Sequence, residues 1–189
     1  MAFHKPKKDL CATCTLAQSA IEPSEEQKSD FEAHIKRKEL SRAVMRSDIE
    51  SCAMDNELIV ATMDLQSVLQ IPQAKARPFY YKRKLCVYNF TVYNEATRDG
   101  TCYIWSEVDG KRGSSEIGSC VKTFIEGEMQ KGYRQIVLWS DNCNGQNRNR
   151  YVAAMLLQLV QESPIEIIKQ NFQSRSGPHS NGRRQYACY

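Results

Sequence analysis

Apolar positions along the chain follow two different rhythms. From Ser24 to about Ser51 the residues are Glu, Lys, Arg, Ala and Leu without Gly or Pro, and Phe31, Ile35, Met45 and Ile49 recur at helical spacings, which predicts one long helix. Pro23 stands before it, Ser24 is the expected N-cap, and Glu25 and Glu26 suit its first turn. After Asn56 the texture becomes that of strands. ELIVATMDLQ, residues 57–66, is a continuous apolar run expected of a central strand covered on both faces. QSVLQIPQAKARPFYYKRK reads as a loop because Pro72 and Pro78 block regular structure. The β-rich runs 85–93 and 101–108 flank NEATRDG, where Asp99-Gly100 predicts the turn of an antiparallel hairpin.

A second amphipathic segment follows. Ser114 or Ser115 is its expected cap, Ile117, Cys120, Val121, Phe124 and Ile125 form one stripe, and Gly132 closes it. RQIVLWSD, residues 134–141, repeats the buried-strand pattern. The turn formers NCNGQNRN come next, then an apolar helix, YVAAMLLQLVQES, that stops at Ser163-Pro164, and a short strand, IEIIKQNF. The final SRSGPHSNGRRQYACY has no apolar periodicity.

This order predicts an α/β domain. A strand reached through a helix pairs in parallel by a right-handed crossover, so the first strand falls between the hairpin and the strand at 134–140 in a mixed five-stranded sheet flanked by helices. The expected division is a basic N-terminal helical arm (1–54), the sheet domain (55–172) and an irregular tail (173–189).

Both buried strands end in an aspartate, Asp64 and Asp141, where the hydrophobic pattern stops. On neighbouring parallel strands the two would lie at one edge of the sheet and repel each other unless a cation lay between them. Mg²⁺ or Mn²⁺, bound by carboxylates and phosphate oxygens, meets that need and serves phosphodiester chemistry. The plainer reading makes them turn residues at strand ends, where aspartate is common.

Composition narrows the setting. With 189 residues, 41% hydrophobic and 25% charged, the chain suits one globular domain with a small appendage. The net charge is only +4, but basic residues cluster: Lys75, Arg77, Lys82, Arg83 and Lys84 alternate with Phe79, Tyr80 and Tyr81. Arg148 and Arg150 flank the loop after Asp141. Basic residues mixed with aromatics are what holds nucleic acid, though they also occur at ordinary strand entrances. DNA is the expected partner, a homo-oligomer is compatible with the pattern, and nothing points to a small-molecule substrate.

The N-terminus MAFHKPKKDL is charged where a signal peptide would be apolar, and no run approaches the roughly 20 apolar residues of a membrane span. The eight cysteines are therefore expected as thiols in a nuclear or cytoplasmic protein that is not secreted, with Cys86, Cys102 and Cys120 acting as small hydrophobes. Cys11 and Cys14 have the spacing of half a zinc site, for which His34 is the nearest further ligand and Cys52 the next; two thiols in a loop is the alternative. His34, Lys36, Arg37, Lys38, Arg42 and Arg46 are expected on the basic surface of the long helix, either as a solvated face or as a packed arm.

MDLQ after an apolar strand, FYYKRKLCVYNFTVYN, YIWSEVDGKRGSSEIGSCV and LWSDNCNGQNRN before an apolar helix together resemble a family of transposon-derived proteins. That family is similar to DDE-type transposases with an RNase H-like catalytic core. The resemblance runs from about Pro6 to Phe172, and its most specific part is SDNCNGQN. It implies metal-dependent cleavage and strand transfer on DNA, with Asp64 and Asp141 as the first two catalytic acids. It also raises His34 as a zinc ligand. The family pattern then leads through glycine, histidine and a small polar residue to an acidic cluster opening a helix. This chain instead reads Gly177, Pro178, His179, Ser180, Asn181, Gly182, Arg183, Arg184, with no acid after Glu166. The expectation is a core impaired by loss of its third acid, its acidic helix replaced through a frameshift or mispredicted exon. The rival readings are a non-catalytic nucleic-acid or protein interaction module and a transposon pseudogene fragment.

Overall fold

The structure is a computed structural model that describes residues 12–19, 24–73 and 82–173. It divides into two compact units, one within Met1–Ser47 and Gln173–Tyr189, the other Asp48–Phe172.

The first unit holds helix α1 (Ala12–Ser19) and most of helix α2 (Glu25–Cys52). Ser24 starts α2 as expected: its Oγ accepts from the Gln27 N–H at 3.2 Å, and Gln27 Oε1 accepts from the Ser24 N–H at 3.0 Å. This reciprocal box satisfies two donors that the first turn would leave unpaired.

The second unit is a sheet with helices. Its strands are β1 (Leu58–Leu65), β2 (Leu69–Ile71), β3 (Leu85–Asn94), β4 (Gly100–Ser106), β5 (Gln135–Asp141) and β6 (Ile167–Gln173). Helix α3 (Ser114–Gln130) joins β4 to β5, and helix α4 (Arg150–Glu162) leads from β5 toward β6. β1 pairs antiparallel with β3 and parallel with β5, so it is the central strand the sequence predicts. β4 takes the other edge of β3, since Phe90 faces Leu65 on one side and Tyr103 on the other. β6 neighbours β5. An antiparallel trio extended on the β1 side by strands reached through helices is the RNase H-like arrangement.

Among the described residues the sheet has six strands where five are expected. The addition is β2, inside the segment read as a loop. After a break at Gln66–Val68 the chain rejoins the same edge of β3, with Leu69 facing Val87. Pro72 does not prevent this, because it lies just beyond the last paired residue.

Two local expectations also change. Helix α3 is capped by Gly113 rather than by a serine: Glu116 reaches back so that its Oε2 accepts from the Gly113 N–H at 3.1 Å and its Oε1 from the Lys111 N–H at 2.9 Å. In the β3–β4 turn the residue with positive φ is Arg98, at 63°, while Gly100 already pairs with Tyr93. Asn94 makes this possible by accepting from the Ala96 and Thr97 N–H groups through its side chain. Gly132, at φ 105°, ends α3 as expected.

Strand alternation sorts the side chains onto two faces. Ile59, Ala61, Met63, Phe90, Val92, Ile136 and Leu138 join Ile117, Val121, Phe124 and Ile125 of α3 and Val152, Leu156 and Leu159 of α4 in one core. Cys120 packs against it half-buried. Cys102 departs from expectation, being disulfide-bonded rather than a thiol. No described helix is long and apolar enough to cross a membrane.

Candidate functional site

The register of β1 against β5 runs Leu58 to Gln135 through Met63 to Ser140, so the next residues on the two strands are Asp64 and Asp141. Residues level with each other on parallel strands, about 4.8 Å apart in a typical sheet, point to the same face. Met63 belongs to the core with α3 and α4, which puts the two aspartates on the opposite face, in line with Thr62 and Trp139. Asp64 is exposed and Asp141 half-buried.

The loop after β5 folds back over Asp141. Cys143 O accepts from the N–H groups of Gln146, Asn147 and Arg148, at 3.2, 2.8 and 3.0 Å, which coils the segment tightly. This brings Asn147 Nδ2 to Asp141 Oδ1 at 2.6 Å, with Asn147 only 1% exposed. Asn149 then caps α4, its side chain accepting from Tyr151 and Val152 N–H. The loop after β4 approaches from the other side, where Gln146 Nε2 donates to Arg112 O at 3.4 Å. Near it the Glu116 carboxyl is held below the ordinary range, chiefly by the Lys111 backbone N–H.

A further carboxylate lies on the aspartate face. Asp48, in the last turn of α2, accepts from Trp139 Nε1 at 3.0 Å, Lys169 Nζ at 3.0 Å and Asn171 Nδ2 at 3.2 Å. Three donors, one of them cationic, occupy its oxygens, so it clamps β5 and β6 and is no substitute for a third acid. Glu166 belongs to the opposite end of the sheet, its N–H bonding to Arg134 O ahead of β5.

Two carboxylates at one strand end suit a hard divalent cation. Mg²⁺ commonly takes only one or two protein carboxylates and completes its shell with water and phosphate oxygens. Two carboxylates such as Asp64 and Asp141 are a donor set of the kind such an ion takes. Among the described residues, no group of three or more His, Cys, Asp or Glu could hold a metal.

The remaining site expectations divide. Lys82 is exposed just ahead of β3, Lys84 is half-buried, and Arg83 Nη2 is 2.9 Å from Glu107 Oε2. Because β3 runs antiparallel to β1, these three lie at the same end of the sheet as the aspartates. Arg148 and Arg150 are there too: the Arg148 guanidinium sits 5.7 Å from the Phe172 ring centre and that of Arg150 4.9 Å from Tyr151. Lys75 and Arg77 lie outside the described residues. In the first unit Cys14 Sγ is 3.4 Å from His34 Nε2, whereas Cys11 lies outside the described residues. His34 is not on the basic surface; it is buried, at 7% exposure, because its helical position falls on the inward stripe with Phe31 and Ile35.

Sequence reasoning passes over Asn147 and Asp48. Asn147 sits in a run of turn formers, with nothing to distinguish it from Asn142, Asn144 or Asn149. Asp48 sits in a charged helix whose outward and inward carboxylates look alike.

Comparison with known proteins adds a structural likeness. No family profile and no curated protein matches the chain. The solved structure of the Mos1 Strand Transfer Complex is similar over 92% of this chain and 62% of the other, at 10% sequence identity and a TM-score of 0.37. The chain thus spans less than two thirds of that protein's length.

Proposed function

We propose that the Asp48–Phe172 unit is a transposase-like DNA-processing domain, derived from a transposable element, whose chemistry is metal-dependent phosphodiester cleavage and strand transfer. The observation that carries this reading is the register of β1 and β5, by which Asp64 and Asp141 share one face at one strand end. When bound by this pair, Mg²⁺ or Mn²⁺ would activate a water or 3′-hydroxyl and neutralise charge on the leaving oxygen. The chain's own residues supply the rest. Asp64 and Asp141 hold the cation, Asn147 orients Asp141, and Arg148, Arg150, Lys82, Arg83 and Lys84 at the same sheet end offer positive charge to a phosphate backbone. In this reading the missing third acid impairs the activity of the chain as written, since a lost ligand loosens at least one ion. Cys11, Cys14 and His34 are proposed as ligands of a separate zinc ion in the N-terminal arm.

Nicking of plasmid DNA in Mn²⁺ tests the reading. The wild-type chain should nick weakly, and Asp64→Asn and Asp141→Asn should not. Equal background from all three rejects catalysis.

A second reading, DNA binding without cleavage, is favoured by the exposed Arg148 and Arg150 beside aromatic rings, which require no acid. Its mark is salt-dependent DNA affinity that survives loss of both aspartates. For the arm, Cys11→Ser with Cys14→Ser should remove bound zinc by metal analysis; unchanged zinc retires that site.

A further inference from the structure

We infer that Asn147 is the positioning residue of the carboxylate pair, holding Asp141 aimed for a divalent cation; this rests on the metal-binding reading above. Three observations converge on its side chain. It is almost wholly buried, at 1% exposure. Its Nδ2 donates to Asp141 Oδ1 at 2.6 Å, the short range of hydrogen bonds to a charged acceptor. Its Oδ1 is buried with no hydrogen-bond partner.

The third observation explains the other two. A buried amide oxygen without a partner is unfavourable, and an amide ordinarily rotates to relieve it. Here rotation would set Oδ1 against the carboxylate oxygen, two acceptors face to face. The orientation is thus dictated by Asp141, and the amide leaves its own oxygen unsatisfied to keep a donor on that carboxylate. The backbone of Asn147 is fixed to serve this contact: its N–H bonds to Cys143 O at 2.8 Å, and its C=O accepts from Gln170 Nε2 of β6 at 3.0 Å. One Asp141 oxygen is held by the amide, and the residue that carries the amide is itself tied to β6. Partners of this kind behind a metal-ligating carboxylate commonly change metal affinity by about 10- to 100-fold when removed.

The test is Mn²⁺ binding by the full chain, read by the loss of the free-ion electron paramagnetic resonance signal, with thermal unfolding of the metal-free protein measured alongside. Asn147→Leu keeps the volume, removes the donor and removes the orphaned oxygen. It should unfold at or above the wild-type temperature while its Mn²⁺ dissociation constant rises about 10-fold or more. Asn147→Ala should weaken Mn²⁺ binding similarly and serves if the leucine variant does not fold. Asp141→Asn should abolish this binding. Wild-type affinity in a folded Asn147 variant, with binding still lost in Asp141→Asn, overturns the positioning role and leaves the metal site standing. Equal binding by wild type and Asp141→Asn, or none by either, overturns both.

Discussion

β1 and β5 carry two different kinds of residue on their two faces. Toward α3 and α4 the strands present Ile59, Ala61, Met63, Ile136 and Leu138, all part of one apolar core. On the other face Val60 and Val137 give way to Thr62 and Trp139 and then to Asp64 and Asp141. That face is organised by directed contacts: Trp139 donates to Asp48, Thr62 to Glu95 Oε1 at 2.8 Å, and Gln66 Nε2 to Thr91 Oγ1 at 3.1 Å. One face supplies stability and the other holds polar groups in place. Burial of apolar area is non-directional and tolerates reshuffling, whereas a carboxylate pair is useful only if its orientation is fixed.

The comparison breaks most visibly at the core. Phe90 is fully buried between β1 and β4, and Phe90→Ala should destabilise the domain by about 3–5 kcal/mol in urea unfolding. A smaller loss is expected on the polar face. Asp48→Ala leaves the buried Trp139 indole N–H without its acceptor, which should cost about 1–3 kcal/mol by the same measurement. A cost equal to that of Phe90→Ala would erase the distinction between the faces.

Smaller again is a pH effect on the core side. Burial, followed by the charges of Cys120 and Glu128, pushes the Tyr103 hydroxyl up from 10.0 to about 12. The folded domain holds this proton more tightly than the unfolded chain does. The associated stability is therefore complete below pH 10.0 and is lost as pH rises toward about 12. Urea midpoints should fall across that window, and Tyr103→Phe should flatten the fall. The smallest stability effect belongs to the exposed member of the site: Asp64→Asn should shift unfolding by no more than about 0.5 kcal/mol, and both Asp64→Asn and Asp141→Asn should remove Mn²⁺-dependent nicking. A large loss of stability in Asp64→Asn would make that aspartate structural.

The elements that periodicity exposes were legible in the chain itself. Continuous apolar runs at 57–66 and 134–141 are β1 and β5, the Ile117–Ile125 stripe is the inner face of α3, and Asn94 to Gly100 is a turn. These follow from local chemistry, since burial on both faces needs uninterrupted apolar residues and a helix stop needs Gly132. Right-handed crossover then puts β1 beside β5. Three things had to wait for tertiary structure. The pairing of β2 with β3 depends on where the chain lands after Gln66–Val68, which no three-residue pattern specifies. The burial of His34 and the contacts of Asp48 depend on which polar side chains of a charged helix face inward, and in sequence those look like the ones that face outward. The hold of Asn147 on Asp141 comes from the coiling of one loop through Cys143, a three-dimensional contact among asparagines that read alike in sequence.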